Sequence, residues 1–166
     1  MSRAFVKEPD ADQAEDDVVE KPQSGLPNYI TTTGLVHLKE TLEDKRKSFE
    51  SLKAAADGLQ TKNEVKRLEA DIRYLEKRIQ SAIPVDTAKL DRDDIRFGAL
   101  VNLEDEDGKK YQFRIVGEDE ADVDKGLLSW ASPLARELIG KTSSDTLVWK
   151  RPSGEIELEI LGFKYQ

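Results

Sequence analysis

The chain has 166 residues, 37% hydrophobic and 36% charged, with 34 acids against 26 bases and a formal net charge of −8. That composition disfavours one large core and predicts an elongated molecule. No segment is strongly basic, which argues against phosphate-driven duplex binding and for a protein partner. There is no cysteine and one histidine, His37, so disulfides, thiolate metal sites and cysteine nucleophiles are excluded.

Residues 1–28 hold seven acids, three bases and little apolar material, and read as a disordered acidic tail. No apolar run is long enough to cross a bilayer, and the start lacks the basic-then-apolar order of a secretion signal. A cytoplasmic protein with no membrane partner is expected.

Residues 29–86 carry the strongest periodicity. Leu35, Leu38, Leu42, Lys45, Phe49, Leu52, Ala56 and Leu59 alternate steps of three and four, as in a coiled-coil seam. The same spacing resumes at Val65, Leu68, Ile72, Leu75, Ile79 and Ala82. Between the two runs, Asp57-Gly58 supplies a stop and Thr61-Lys62-Asn63-Glu64 has the form of a capping box. Together these predict an antiparallel hairpin within one chain, and so a monomer, rather than a seam shared between chains. Thr31 is a good N-cap at the base, and Pro84 ends the second helix. Lys45 could set the register, contact a partner or snorkel. His37 reads as a surface residue.

From residue 87 to 166 the period becomes that of strands. Arg96 to Leu103 and Lys110 to Val116 flank Asp107-Gly108, a favoured hairpin turn. Leu127 to Trp130 is a third apolar run. Ser132, Pro133 and Gly140 specify the cap, first turn and stop of a short helix. Thr146 to Lys150 and Glu155 to Tyr165 flank Arg151-Pro152-Ser153-Gly154 as a second hairpin, with Ile156, Leu158 and Ile160 on one face and glutamates on the other. The expected class is α+β, a coiled-coil hairpin followed by a small antiparallel sheet with one short helix. Trp149 reads as a sheet residue, and Trp130 as either core or an interface anchor.

Several strings, in order, resemble the Gre transcript-cleavage factors: Thr31-x-x-Gly34-x-x-x-Leu38, Phe97-Gly98-Ala99, Phe113-Arg114-Ile115-Val116-Gly117 and Asp119-Glu120-Ala121-Asp122. Ser132-Pro133-Leu134-Ala135-Arg136, Leu138-Ile139-Gly140-Lys141 and Pro152-x-Gly154-Glu155 continue the pattern, which spans about residues 29–166. The resemblance implies an FKBP-like C-terminal domain that grips RNA polymerase at its secondary channel, using a surface that corresponds to Ser129, Trp130, Ala131, Ser132 and Pro133. It also implies a hairpin inserted toward the polymerase magnesium. In those factors two tip carboxylates help hold a second magnesium, and the polymerase remains the enzyme; no cofactor of the chain's own is implied.

At the tip this chain departs from that pattern. Asp57 falls on the family's aspartate, but the partner position is Gln60, with Glu64 the only other acid nearby. The hairpin is also about a dozen residues shorter than in the cleavage factors, which removes about 10 Å of reach. The expectation is a polymerase-binding elongation regulator with weak or no stimulation of cleavage. The alternatives are a true cleavage factor using Asp57 and Glu64, a peptidyl-prolyl isomerase by analogy of fold alone, and a coiled-coil assembly protein. Lys62, Lys66, Arg67 and Arg73 are candidates to face nascent RNA, or simply a solvated helix face.

Overall fold

A computed structural model describes residues 22–55, 58–90 and 92–165. The element order is β1 (Tyr29–Thr31), α1 (Thr32–Ala54), α2 (Leu59–Ser81), β2 (Ile83–Val85), β3 (Leu100–Asp105), β4 (Lys110–Val116), β5 (Leu127–Ser129), α3 (Pro133–Leu138), β6 (Thr146–Arg151) and β7 (Gly154–Lys164). The expected α+β plan is present. Most of the acidic tail lies outside the described residues. Asn28, at its end, is 5% exposed and so belongs to the folded body.

The two helices pack against each other along the predicted seams, except at the tip, where Leu59, expected to end the first seam, instead opens α2 because Gly58 starts that helix, and Ala56 lies outside the described residues. Of the seam residues Leu42 and Leu75 are buried, as is Ala70 beside them, and most other described seam residues are half-buried, because a two-helix hairpin covers each apolar stripe from one side only. Lys45 enters the seam without stranding its charge, since its ammonium meets Asp71 on α2 at 2.7 Å. Arg46 bridges to Glu76 on the same helix at 2.8 Å. Each helix has 23 residues, or about 34 Å of rod at 1.5 Å per residue.

The hairpin leaves and returns through β1 and β2, which pair in parallel with Tyr29 opposite Ile83 and Thr31 opposite Val85. Beyond it, the strands form one sheet in the order β5-β4-β3-β7-β6. The pairs β3–β4, β3–β7 and β6–β7 are antiparallel as expected, but β5 joins β4 in parallel. The run from Leu127 is reached through two short 3-10 turns after β4, and that crossover returns it in the same direction.

Strand β3 starts later than the apolar run from Arg96 predicts. Residues 96–99 turn instead, with Ala99 N–H donating to the Arg96 carbonyl at 3.1 Å. Gly98 sits at φ 89°, and a Cβ there would lie 2.2 Å from Thr87 Cγ2. The core fills one face of the sheet under α3, with Ile95, Val101, Leu103, Ile115, Leu138, Leu158 and Ile160 fully buried. Trp149 closes its edge as a sheet residue, edge-on to Tyr111 and Phe113, both at 5.7 Å.

Candidate functional site

At the free end of the hairpin, α1 stops at Ala54, and Ala55 N–H caps it by donating to the Ser51 carbonyl at 3.2 Å. Asp57 lies outside the described residues. Helix α2 opens at Leu59 with Gly58 as its N-cap, at φ 109° and without a side-chain cap. The expected capping box is therefore not formed: Thr61 lies inside the first turn rather than before it. Gly58 reaches a backbone conformation that side chains resist, and this starts the helix earlier than the threonine would. Glu64 is thereby released from the reciprocal capping role. It is exposed on the same helix face as exposed Gln60, four residues apart. Among the described residues no group of three metal-ligating side chains occurs.

The five residues expected to dock lie at the opposite end of the molecule. Ser129 ends β5, the sheet's edge strand. Trp130 N–H donates to the Val116 carbonyl at 2.9 Å, and Ser132 N–H to the Ser129 carbonyl at 2.9 Å. Ala131 N–H donates to Ser129 Oγ at 3.2 Å, and the Ser132 hydroxyl caps α3 by accepting Ala135 N–H at 3.3 Å. Pro133 takes the first helical position, as expected.

Trp130 resolves toward packing. Its ring stands edge-on to Tyr29 of β1 at 5.3 Å, with Phe97 6.0 Å beyond. Its Nε1 is buried with no hydrogen-bond acceptor. The indole thus cements the hairpin base to the sheet. Pro133 is the exposed member of the group. It lines a cleft of about 320 Å³ between α3 and β6, with Arg136, Glu137 and Val148, the last 47% exposed. His37 is exposed on α1 beside Glu40 at 3.1 Å, as a surface histidine.

The feature that sequence reasoning missed is the junction. The 3-10 turn Glu118–Glu120 after β4 presents two adjacent carboxylates to the two helices. Glu120 accepts Thr31 N–H at 2.9 Å, the Thr31 hydroxyl and Gly117 N–H at 3.0 Å, while the same Thr31 hydroxyl caps α1 at Gly34 N. Asp119 accepts the Arg78 Nε–H at 2.5 Å and the Tyr74 hydroxyl at 2.9 Å, both from α2. Arg78 also donates to Asn28 Oδ1 at 2.6 Å, and the Asn28 amide returns a bond to the Arg78 carbonyl at 2.8 Å. Burial, reinforced by the Asp119 carboxylate, pushes the Tyr74 hydroxyl pKa up to about 12. Gly34 was a legible trace of this junction, since a glycine in a helix's first turn costs stability unless something must approach it closely. Here Glu120 does, at 2.1 Å from where a Cβ would stand.

Comparison with known proteins places these features in a family context. The model for the transcription elongation factor GreA/GreB C-terminal domain matches residues 90–165. Transcription elongation factor GreB of Neisseria meningitidis is 35% identical over 153 residues, covering 83% of this chain and 94% of that protein. Transcription elongation factor GreA of an Anaeromyxobacter strain is 39% identical over 147 residues, covering 79% and 88%. Among solved structures, GreA factor homolog 1 of Thermus thermophilus is 24% identical and covers 84% of this chain and 99% of that one. Its TM-score of 0.39 is too low for the superposition to bear on function.

Proposed function

Because the chain belongs to the GreA/GreB family of transcription elongation factors, we propose that it regulates elongation by binding RNA polymerase through its sheet domain and inserting the hairpin into the secondary channel, while stimulating little transcript cleavage. The observation that carries this reading is the tip. The position expected to hold the second carboxylate is Gln60, an exposed amide at the start of α2. A neutral oxygen forfeits most of the affinity a hard dication has for a carboxylate pair. With Asp57 as the one matched acid and a rod of about 34 Å, the hairpin occupies the channel without completing a metal site.

The surface offered for docking is the Pro133 corner and its cleft against β6, with Ser129, Ala131 and Ser132 shaping the loop and Trp130 holding it from behind. Charge supports insertion near nucleic acid. Residues 44–70, the distal half of the hairpin, carry seven Lys and Arg against five acids, in a chain that is acidic overall. That slight positive excess is compatible with proximity to nascent RNA, with Lys62, Lys66 and Arg67 on the tip side of α2.

The test mixes the protein with a backtracked elongation complex, with and without an authentic cleavage factor. It should bind, release little RNA by itself and slow the other factor's cleavage in a dose-dependent way. Strong cleavage abolished by Asp57→Ala or Glu64→Ala would show instead that the tip is a working metal ligand set.

A further inference from the structure

We propose that Arg78, Asp119 and Glu120 are positioning residues that fix the angle between hairpin and sheet domain and so decide where the tip arrives. This rests on the functional reading above for its consequence, but not for its geometry. The two neighbouring carboxylates grip different helices: Glu120 holds the start of α1 through Thr31, and Asp119 holds the end of α2 through Arg78 and Tyr74. Two attachments on one short turn restrain tilt in two directions, where one would leave a pivot.

The lever makes this matter. With about 34 Å of helix beyond the clamp, a tilt of about 10° displaces the tip by about 6 Å. Angstrom-scale errors already cost much at a reacting centre. The chemistry chosen also suits orientation better than stabilisation. The side chains of Arg78 and Asp119 are 5% and 7% exposed. A buried ion pair often adds little net stability over an apolar pair, and its best-attested use is to select one arrangement. Arg78 uses its planar fork, with Nε on Asp119 and Nη2 on Asn28, which a lysine cannot reproduce. Close contact enforces the same geometry. A Cβ on Gly34 would collide with Glu120, and one on Gly117 would stand 2.3 Å from the Tyr29 carbonyl.

The absence of cysteine from the sequence permits clean double labelling. Spin labels at Gln60→Cys on the tip and Glu157→Cys on β7 report the tip-to-sheet distance in the full chain. The wild-type background should give one narrow distribution. Arg78→Lys keeps the charge beside Asp119 but loses the fork, and Glu120→Gln keeps the shape but loses the charge. Each should broaden the distribution at temperatures where circular dichroism shows full helix content. On polymerase, each should bind within about threefold of wild type yet lose about tenfold in the maximal slowing of cleavage at saturation. Unchanged narrow distances in both variants, or affinity falling in parallel with effect, would overturn the proposal. If the parent protein failed to bind polymerase, the functional reading would fall, while the distance measurement would still judge the clamp.

Discussion

Replacing Gly34 with alanine tests the junction through its sign. In most exposed helical positions Gly→Ala stabilises by up to about 1 kcal/mol. At Gly34 the new methyl would lie 2.1 Å from Glu120 Oε1 and 2.2 Å from its Cδ, so the carboxylate must leave. It then gives up bonds from Thr31 N–H, the Thr31 hydroxyl and Gly117 N–H. Hydrogen bonds to a charged group are worth roughly 1.5–3 kcal/mol each. Even two of the three lost without replacement, at the low end of that range, outweigh the propensity gain and predict a net loss of at least about 2 kcal/mol, or about 6 °C in melting temperature for a chain of this length. Urea unfolding followed by circular dichroism measures it. The double-mutant cycle is sharper, because a Glu120→Ala background removes the three atoms nearest the new methyl, and Gly34→Ala should there stabilise by up to about 1 kcal/mol. A stabilising Gly34→Ala in the otherwise wild-type protein, or the same sign in both backgrounds, refutes the reasoning.

Other substitutions probe separate parts of the molecule. Trp130→Phe should cost less than about 1.5 kcal/mol because the buried Nε1 makes no hydrogen bond, whereas Trp130→Ala should cost about 3 kcal/mol by leaving a cavity against Tyr29, both read from urea midpoints. The raised Tyr74 pKa means that the folded state holds this proton more tightly than the unfolded chain does. Its contribution is thus complete below about pH 10 and disappears as pH climbs toward about 12, and Tyr74→Phe should flatten that alkaline loss in thermal melts. Ser144 lies at φ 70°, so Ser144→Gly should be neutral or stabilising by up to about 1 kcal/mol in the same unfolding assay. Gln60→Glu, which restores a second tip carboxylate, should raise transcript cleavage on a backtracked complex if reach allows, and an unchanged rate would assign the deficit to the shorter rod.

Which parts of the molecule could be read from sequence follows from the range of the forces that set them. The seams from Leu35 to Leu52 and from Val65 to Ala82 were legible because helix periodicity repeats a local spacing. The α3 cap and the hairpin turn at Gly108 were legible because each needs only a few consecutive residues with fixed conformational preferences. At the tip two helix-start signals compete three residues apart. The threonine offered a side-chain hydrogen bond, while Gly58 offered a backbone conformation, and the latter prevailed. The start of β3 was misjudged for a related reason, since Gly98 turns the chain to admit Thr87 from eleven residues earlier.

The junction lay beyond such reasoning because its partners are far apart in the chain. Thr31 meets Glu120 across 89 positions and Arg78 meets Asp119 across 41. Asp119 and Glu120 stood out only as part of a string shared with the Gre factors, and nothing in that string points either acid at the base of a helix. Even so, each end bore a mark of constraint: a glycine where a helix would rather have alanine, and an arginine on the side of α2 that turns inward. A charged residue facing the body and a glycine in a first helical turn are both costly in isolation. Their occurrence at the base of both helices is accounted for by the contact they share through one short acidic turn. That contact gives a hairpin with weak internal burial its fixed direction. An elongated probe with so thin a seam is aimed from its base, where the acidic turn works beside the Trp130–Tyr29 contact, so the junction, and not the coiled coil, is where geometry relevant to the tip is set.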